Sequence, residues 1–405
     1  MVSALIVVIV ATVTMIAFAI MGILYSRGHG KDLDDYISAR KTLGTSRASA
    51  TFMASVIGVW NLFSPAESAT WGGLAAIMGY GLGQAAPLFA FYFFAPRIKQ
   101  LMSQGHGITE YAWFRFGKAT YSLVLIITGF YMFIFLVAEL TAVSLAFNIV
   151  AGIPLIFTAL LVCLAVVSYT AYGGLRASLF TDTIQAVLIA SLIAISFGWV
   201  ITSFGGLRQI FLEISNNTPE LVNPFYQPGV EFSILVVIAI LGANLFHQGY
   251  WQRIYACVDD KAMRRGFLIS GLSSIPIVVI AGLLGLIGFS LGLIPEGSES
   301  VALFSLIVTT FPEWLVIVMI VLSLALVASS MDTLFSGIIS LIVIDLARFK
   351  PHLKSKVLLR VAKLGTLAIA APAILVASQG YSVLFLFLLA DLVAVAAVFP
   401  IYFGL

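Results

Sequence analysis

The chain has 405 residues, of which 61% are hydrophobic and only 10% are charged. An average soluble domain is roughly 45–50% apolar and about 25% charged, so this composition excludes a soluble protein. A helix that crosses the ~30 Å hydrocarbon core of a bilayer needs ~20 apolar residues. The chain therefore has room for about ten or eleven such helices, and the predicted fold class is an all-α polytopic membrane protein in a lipid bilayer.

Uncharged segments separated by polar loops predict about eleven spans. The first segment carries no charge before Arg27, and no basic segment precedes it, so we expect a retained helix and not a cleaved signal peptide. The predicted spans are 2–25, 48–75, 79–96, 119–150, 153–171, 178–203, 232–256, 266–292, 313–344, 358–378 and 382–404.

The basic residues are distributed unevenly between the loops. When alternate loops are assigned to opposite sides of the membrane, all of the 21 Lys and Arg residues except Arg208 fall on one side, with Arg253 counted in a loop. The positive-inside rule makes the basic side cytoplasmic. The sequence therefore predicts a plasma (inner) membrane protein with its N-terminus outside and residue 405 on the cytoplasmic side. A net charge of +3 gives no reason to expect a nucleic-acid partner.

Two predicted spans are interrupted by helix-breaking and polar residues, the second at Gly58 and Pro65 and the seventh at Gly242 and Gly249. In a bilayer such interruptions are tolerated only where the backbone is buried in protein or lines a cavity. Either span alone could be a kinked packing helix without a ligand. Together they indicate a site between two broken helices, as in many secondary transporters.

Each interrupted span begins a set of five predicted helices. An odd number of spans gives the two sets opposite orientations in the membrane, which is the inverted-repeat arrangement. We therefore predict an extra N-terminal helix at 1–26, a first five-helix repeat at 48–203 and a second at 232–404.

The ninth span places four oxygen-bearing side chains on one side of a helix. They are Ser329, Ser330, Asp332 and Thr333. Hard cations such as sodium bind oxygen ligands, and carbonyl groups of an unwound helix can complete the shell. The hydroxyls could instead bond to carbonyls of their own helix. Asp332 is harder to explain in that way, because a carboxylate inside the membrane is costly.

Further polar groups lie within the predicted spans. Glu139 and Asp391 are deep carboxylates, Asp182 lies near the start of the sixth span, and His247 is the only histidine within a span. No Lys or Arg lies deep in a predicted span to pair with these acids, which favours a neutral or cationic solute over an anionic one. The carboxylates could also be protonated structural groups, and His247 could simply pack with one hydrogen bond.

The sequence contains no metal-ligand spacing, glycine-rich phosphate loop or nucleophile elbow. An ATP-driven pump is therefore disfavoured. An enzyme also has little support, because no recognisable pair of nucleophile and base is present.

Six segments together resemble the solute:sodium symporter family, which includes bacterial proline, sugar and sialic acid symporters and has the LeuT fold with 5+5 inverted repeats. The segments are DYISARKTLG, ASVIGVWNLFSPAE, GITEYAWFRFG, TAYGGLRASLFTDTIQAVL, GYWQRIYACVDDKAMRRG and ASSMDTLFSG. The likeness runs from about residue 33 to residue 404. Family members usually continue with further helices, which we expect this chain to lack.

The resemblance implies particular ligands for sodium, the coupling ion. The family's central sodium site corresponds here to the carbonyls of Ala54, Ile57 and Leu326 and the hydroxyls of Ser329 and Ser330. A second cation site, found in some members, corresponds to Asp182, Asp332 and Thr333. Asp332 replaces a hydroxyl of the family pattern, so it could strengthen that site or carry a proton in place of the ion.

The resemblance also implies a solute site between the broken helices and their neighbours. Its residues would be Trp60, Asn61, Glu139, Asn244, His247 and Gln248. The leading hypothesis is a sodium-coupled symporter that imports a small polar organic solute, without an obligate protein partner. The alternatives are a proton-coupled symporter of the same fold and a sensory, symporter-like module of a signalling protein.

Overall fold

The computed structural model describes residues 2–27 and 32–402, apart from the side chain of Phe399. Within these ranges the chain is helical and contains no β-strand, which confirms the predicted all-α class. The α-helices are α1 (Ala4–Ser26), α2 (Leu33–Ser38), α3 (Thr45–Ala54), α4 (Ser64–Leu101), α5 (Ile108–Phe116), α6 (Lys118–Ala151), α7 (Leu155–Ser203), α8 (Leu207–Asn217), α9 (Gln227–Leu245), α10 (Gln248–Ala256), α11 (Asp260–Ser290), α12 (Ala302–Thr310), α13 (Glu313–Phe349), α14 (Ser355–Ala377) and α15 (Val383–Tyr402). Short 3-10 helices cover Val59–Leu62, Pro219–Val222 and Glu299–Val301.

Eight of the described helices are long and apolar enough to cross a membrane. α1 shows the pattern of a lipid-facing helix, because Leu5, Ile9 and Val13 are exposed on one face while Val7 and Ala11 are buried on the other. The buried face of α1 packs against α7. The exact number of spans and the repeat boundaries at 48–203 and 232–404 stay predictions.

Two pairs of predicted spans are joined without a loop. α4 continues past the predicted gap between 75 and 79, and α7 continues past the gap between 171 and 178. Each helix is interrupted at a single glycine, Gly73 with φ 60° and Gly174 with φ 58°. The expectation of a polar loop was therefore wrong at these two places, because one glycine is enough to change the direction of the chain between two helical segments.

The kink in α7 is held by Tyr36 of the short helix α2. A side chain at Gly174 would overlap the backbone and ring of Tyr36 in α2. The Tyr36 hydroxyl donates to the carbonyls of Thr170 (3.2 Å) and Ala171 (3.3 Å), which lie just before the kink. A carbonyl released at a kink needs a new partner inside a membrane protein, and Tyr36 supplies it.

Both predicted helix interruptions are present. α3 ends at Ala54, and α4 begins at Ser64 after a short 3-10 turn. α9 ends at Leu245, and α10 begins at Gln248. α13 packs against α6 and α7, and it also contacts α3, the 3-10 turn and α10, so it passes both breaks.

Ion pairs tie several elements together at the end of the bundle where α2 and α5 lie. The carboxylate of Asp34 accepts from Arg40 Nε (2.9 Å) and lies 3.0 Å from His106 Nε2, while Glu110 pairs with Arg348 (3.3 Å). Burial acts to raise the pKa of Asp34, but hydrogen bonds and charges from Arg40 and His106 outweigh it, so this pKa lies below its ordinary value. This cluster links α2, α5 and α13.

We predict that Gly174→Ala strongly destabilises the protein. Alanine is strained at this φ and ψ by about 1–3 kcal/mol, and its methyl group would also overlap Tyr36. Gly198→Ala is the matched control, since Gly198 lies in the same helix with open space around it. Thermal unfolding of both variants in detergent should show a loss only for Gly174→Ala, and equal stability of the two would contradict this account of the kink.

Candidate cation and solute sites

The break between α3 and α4 releases backbone carbonyls in the interior of the protein. The Ala54 carbonyl accepts a hydrogen bond from the Ser329 hydroxyl of α13 (2.9 Å). The Ile57 carbonyl accepts none from the described residues, although the Ile57 N–H still donates to Met53 (3.1 Å). Both Ala54 and Ile57 are fully buried. Buried carbonyls that lack a helical partner are suitable ligands for a bound cation.

α13 brings oxygen atoms to the same place. The Ser329 and Ser330 hydroxyls each donate to the Leu326 carbonyl at 3.0 Å, so part of their hydrogen bonding stays within their own helix. Ser329 differs because its hydroxyl also reaches Ala54 across the helix interface. Four of the five predicted central ligands are thus connected by direct hydrogen bonds. Ile57 follows in the break, three residues after Ala54.

Glu139 of α6 stabilises the beginning of the 3-10 turn. Its carboxylate accepts the backbone N–H of Val59 at 2.8 Å, and it is fully buried. The carboxylate lies against Gly58, where any side chain would overlap it. The positive end of the short helix dipole and the free N–H group favour a carboxylate at this position. Glu139 therefore holds the break in its observed shape.

Arg253 occupies the centre of a buried polar cluster. Its guanidinium contacts the Asp182 carboxylate and the Thr333 hydroxyl through Nη2 at 2.8 and 2.7 Å, and the Thr51 hydroxyl through Nε at 2.9 Å. Thr51 also donates to Asp182. Both charged side chains are fully buried. The expectation that Arg253 lies in a loop, and that no basic residue pairs with the deep acids, was wrong because α10 carries Arg253 back into the protein.

Asp332 lies beside this cluster and shares Ser178 and Thr333 with it. Its carboxylate accepts hydrogen bonds from the hydroxyls of Ser178 (2.6 Å), Tyr169 (2.9 Å), Thr181 (3.1 Å) and Thr333 (3.4 Å), and Arg253 Nη2 lies 3.4 Å from the Ser178 hydroxyl. It is fully buried, and no Lys, Arg or His of the described chain forms an ion pair with it. Three predicted residues, Asp182, Asp332 and Thr333, are therefore brought together, but Arg253 shares their oxygen atoms.

A narrow cavity lies between the two broken helices. Its walls come from the first break, α4, α6, α9 and α15. All of the lining residues are buried. The lining residues are Val56, Trp60, Tyr80, Gln84, Tyr131, Phe135, Ile240, Asn244, Phe387 and Asp391.

Two of the six predicted solute residues, Trp60 and Asn244, line this cavity. His247 lies next to it and packs edge-on against Phe135 with ring centroids 5.6 Å apart. His247 also caps the N-terminus of α10, where its Nδ1 accepts the N–H of Gly249 (3.2 Å).

The other three predicted solute residues lie elsewhere. Glu139 holds the 3-10 turn, and Gln248 donates to the carbonyl of His106 (2.8 Å) and the hydroxyl of Ser340 (3.2 Å). Asn61 is buried within the 3-10 turn, and its amide has no hydrogen-bond partner in the described chain.

Residues 36–404 match the family model described as the sodium:solute symporter family. The chain belongs to this family. The match covers most of the chain and confirms the resemblance of the sequence segments.

The curated relatives of this transporter are named after different solutes. It is 26% identical over 92% of its length to a spermidine transporter of Candida albicans, of which it covers 69%. It is 26% identical over 56% of its length to a sodium/glucose cotransporter of Vibrio parahaemolyticus and 23% identical over 59% to a urea active transporter of Saccharomyces cerevisiae. The transporter spans only 44% and 34% of these two relatives.

The fold is similar to that of a solved structure, a substrate-bound, outward-open Na⁺-coupled sialic acid symporter. The TM-score is 0.78 at 20% sequence identity, and the match covers 92% of this transporter and 81% of that chain. This similarity confirms the LeuT-like fold class. The family and its relatives are transporters and not enzymes, as expected.

Sequence reasoning missed most of the cavity. In the sequence, Tyr80, Gln84, Tyr131 and Phe387 look like ordinary residues of apolar spans. Among the cavity residues that were not predicted to bind solute, Asp391 alone was singled out, as a deep carboxylate. The helical repeat shows which residues share a face, but it does not show which face is turned toward the other broken helix.

We predict that Arg253 and Asp182 are strongly coupled in the stability of the transporter. Arg253→Met and Asp182→Asn should each lower stability by about 3–5 kcal/mol, because each leaves the other charge buried without its partner. The double variant should lose less than the sum of the two. Lys99→Met is the control, since Lys99 lies 3.9 Å from a half-exposed Asp260 and should matter little. Additive losses in detergent unfolding would contradict the coupling.

Proposed function

We propose that this transporter is a sodium-coupled symporter that imports a small polar organic solute by alternating access. The observation that supports this most is the hydrogen bond between Ser329 and the Ala54 carbonyl, which brings α13 to the released carbonyls of the first break. Sodium prefers several oxygen ligands, and the carbonyls of Ala54, Ile57 and Leu326 with the hydroxyls of Ser329 and Ser330 would supply them.

The first break also connects the proposed ion site with the cavity. Ala54 and Ile57 offer carbonyls toward α13, while Val56 and Trp60 of the same segment line the cavity. The Val56 carbonyl accepts from the Trp60 indole and from Gln84, both at 3.3 Å. An ion that orders this segment changes the shape of the solute site, and linkage makes the effect reciprocal. Sodium would thereby favour the outward-open conformation that takes up solute.

The solute is proposed to be neutral or cationic. None of the described Lys and Arg residues lines the cavity, whereas Asp391 does. Two relatives named above are transporters of urea, which is neutral, and of spermidine, which is a cationic polyamine. Asn61, Glu139 and Gln248 would contribute to the solute site through the shape of its surroundings. The polar atoms of Glu139 and Gln248 bond to other groups of the protein, and the Asn61 amide has no hydrogen-bond partner among the described residues.

A second sodium ion at Asp182, Asp332 and Thr333 would have to share ligands with the guanidinium of Arg253. Two cations so close together repel each other in a medium of low dielectric constant. We therefore propose that Arg253 is the resident cation here and that the transporter uses one sodium ion in this conformation.

One observation favours a second candidate, proton coupling. Asp332 is a buried carboxylate with four hydroxyl partners and no ion pair to a described residue, one helical turn from Ser329. A carboxylate in such surroundings is a typical proton carrier in membrane transporters. Uptake driven by a pH gradient in sodium-free vesicles, and lost in Asp332→Asn, would support the proton in place of sodium.

We also propose that the transporter lies in the plasma (inner) membrane, with its N-terminus outside and residue 405 inside, because the basic residues are concentrated in the loops of one side.

Replacement of both Ser329 and Ser330 by Ala should abolish the sodium dependence of transport, because it removes two proposed ligands. The control is Ser323→Ala in the same helix, whose buried hydroxyl donates only to the Met319 carbonyl of its own helix (2.8 Å). We would measure uptake of labelled spermidine and urea into proteoliposomes with inward sodium or choline gradients. Thermal stability of the purified protein in both salts provides a second reading that needs no solute.

The control variant should retain stimulation and stabilisation by sodium, and the Ser329→Ala, Ser330→Ala variant should lose both. A double variant that is stabilised by sodium as much as the unmodified protein would contradict the proposed ion site.

A further inference from the structure

The polar groups of the central cavity point to a particular class of solute, an inference that rests on the proposed transport function. Asp391 of α15 is 5% exposed and lines the cavity. Its carboxylate has no hydrogen bond and no ion pair with any described residue, in contrast to Asp182 and Asp332. A buried carboxylate without a partner is costly unless it is protonated or completed by a ligand group, and its position in a cavity favours a ligand.

The two amides in the cavity also leave acceptors. Gln84 donates its Nε2 to the Val56 carbonyl (3.3 Å), and Asn244 donates its Nδ2 to the Ile240 carbonyl (2.9 Å). The oxygen of each amide accepts no hydrogen bond from a described residue, so it can accept one from a ligand, while the second N–H of each amide can still donate. Together with the Asp391 carboxylate, the cavity therefore offers three acceptor groups. Such a site suits a ligand with several N–H donors.

Aromatic rings form most of the remaining wall. The ring of Phe387 lies 5.2 Å from that of Trp60 and 4.7 Å from that of Phe135, and Trp60 lies 6.0 Å from Tyr80. Tyr131 continues this wall beside Phe135, with ring centroids 5.9 Å apart. The faces of aromatic rings attract cations, and the attraction is stronger where water is excluded.

We propose that the cavity binds the ammonium group of an organic amine, with Asp391 as its counter-ion. The rings of Trp60 and Phe387 would surround the charge, and the amide oxygens of Gln84 and Asn244 would accept its N–H groups. The solute then brings a positive charge that none of the described residues lining the cavity supplies. A neutral solute of the same shape would leave Asp391 without a partner, which sets amines apart from alcohols and from ureas.

The test uses the purified full chain in lipid nanodiscs with sodium chloride present. The ligands are a series of linear mono-, di- and triamines, each paired with the alcohol of the same length. Binding is measured by thermal stabilisation and by competition against radiolabelled 1,4-diaminobutane. Amines should bind at least about tenfold more tightly than the matched alcohols, which corresponds to about 1.4 kcal/mol.

Three variants separate the charge from the fold. Asp391→Asn should lower the amine affinity about tenfold or more, Asp391→Glu should retain part of it, and Phe387→Leu should lower it about threefold by removal of one ring. Asp345→Asn is the matched control, because Asp345 is a buried carboxylate of α13 that lies outside the cavity. Its affinity for amines should not change.

The sodium effect on thermal stability distinguishes the two proposals. If sodium stabilises the unmodified protein but alcohols bind as well as amines, or Asp391→Asn keeps full amine affinity, the ammonium site is overturned and sodium coupling stands. If amines bind through Asp391 but sodium has no effect, the proposed coupling ion is wrong instead. Should Asp391→Asn fail to fold, Phe387→Leu and Asp391→Glu decide the question, and unchanged amine affinity in both overturns the proposal.

Discussion

Backbone groups released by the break between α3 and α4 constrain the rest of this transporter. In the membrane interior each unsatisfied N–H or C=O group costs several kcal/mol, so an interrupted helix persists only where other elements supply partners. Ser329 of α13 reaches the Ala54 carbonyl, Gln84 of α4 reaches the Val56 carbonyl, and Glu139 of α6 accepts the N–H of Val59. The break therefore holds three helices together, and the cavity and the proposed ion site both lie against it.

The deep carboxylates differ in what neutralises them. Asp182 has the guanidinium of Arg253, Asp332 has four hydroxyl donors, and Asp391 has no partner among the described residues. A buried charge must be paired, protonated or completed by a ligand. These three environments favour three roles: a structural ion pair at Asp182, an exchangeable proton or an added negative charge at Asp332, and solute binding at Asp391.

Much of the fold could be predicted from the sequence, because span length, the distribution of basic residues and helix-breaking residues follow directly from the bilayer. The two interrupted helices were found in this way, and the short segments identified the family. The kinks at Gly73 and Gly174 were not found, since a glycine with a positive φ looks in a sequence like any other glycine in an apolar span. Each therefore appeared as a boundary between separate spans.

The site was predicted less completely. The family pattern correctly grouped Ala54, Ser329 and Ser330. The depth of Gln248 in its predicted span could not show that its side chain bonds to the His106 carbonyl and does not line the cavity. Arg253 was assigned to a loop because it follows the apolar part of its span. In the structure it lies in α10, a short helix after the second break, and contacts Thr51 of α3 just before the first break. A side chain beyond an interruption cannot be placed by counting residues from the membrane surface.

Hydrogen–deuterium exchange of the backbone amides at the first break tests the central claim most directly, because it reports on that segment without knowledge of the solute. The purified transporter would be compared in sodium chloride and in choline chloride at equal ionic strength. We predict that sodium slows exchange in peptides that cover 54–63 and 326–333 and leaves α14 and the exposed α8 unchanged. Equal exchange of the break in both salts would contradict the claim that sodium binds to its released carbonyls.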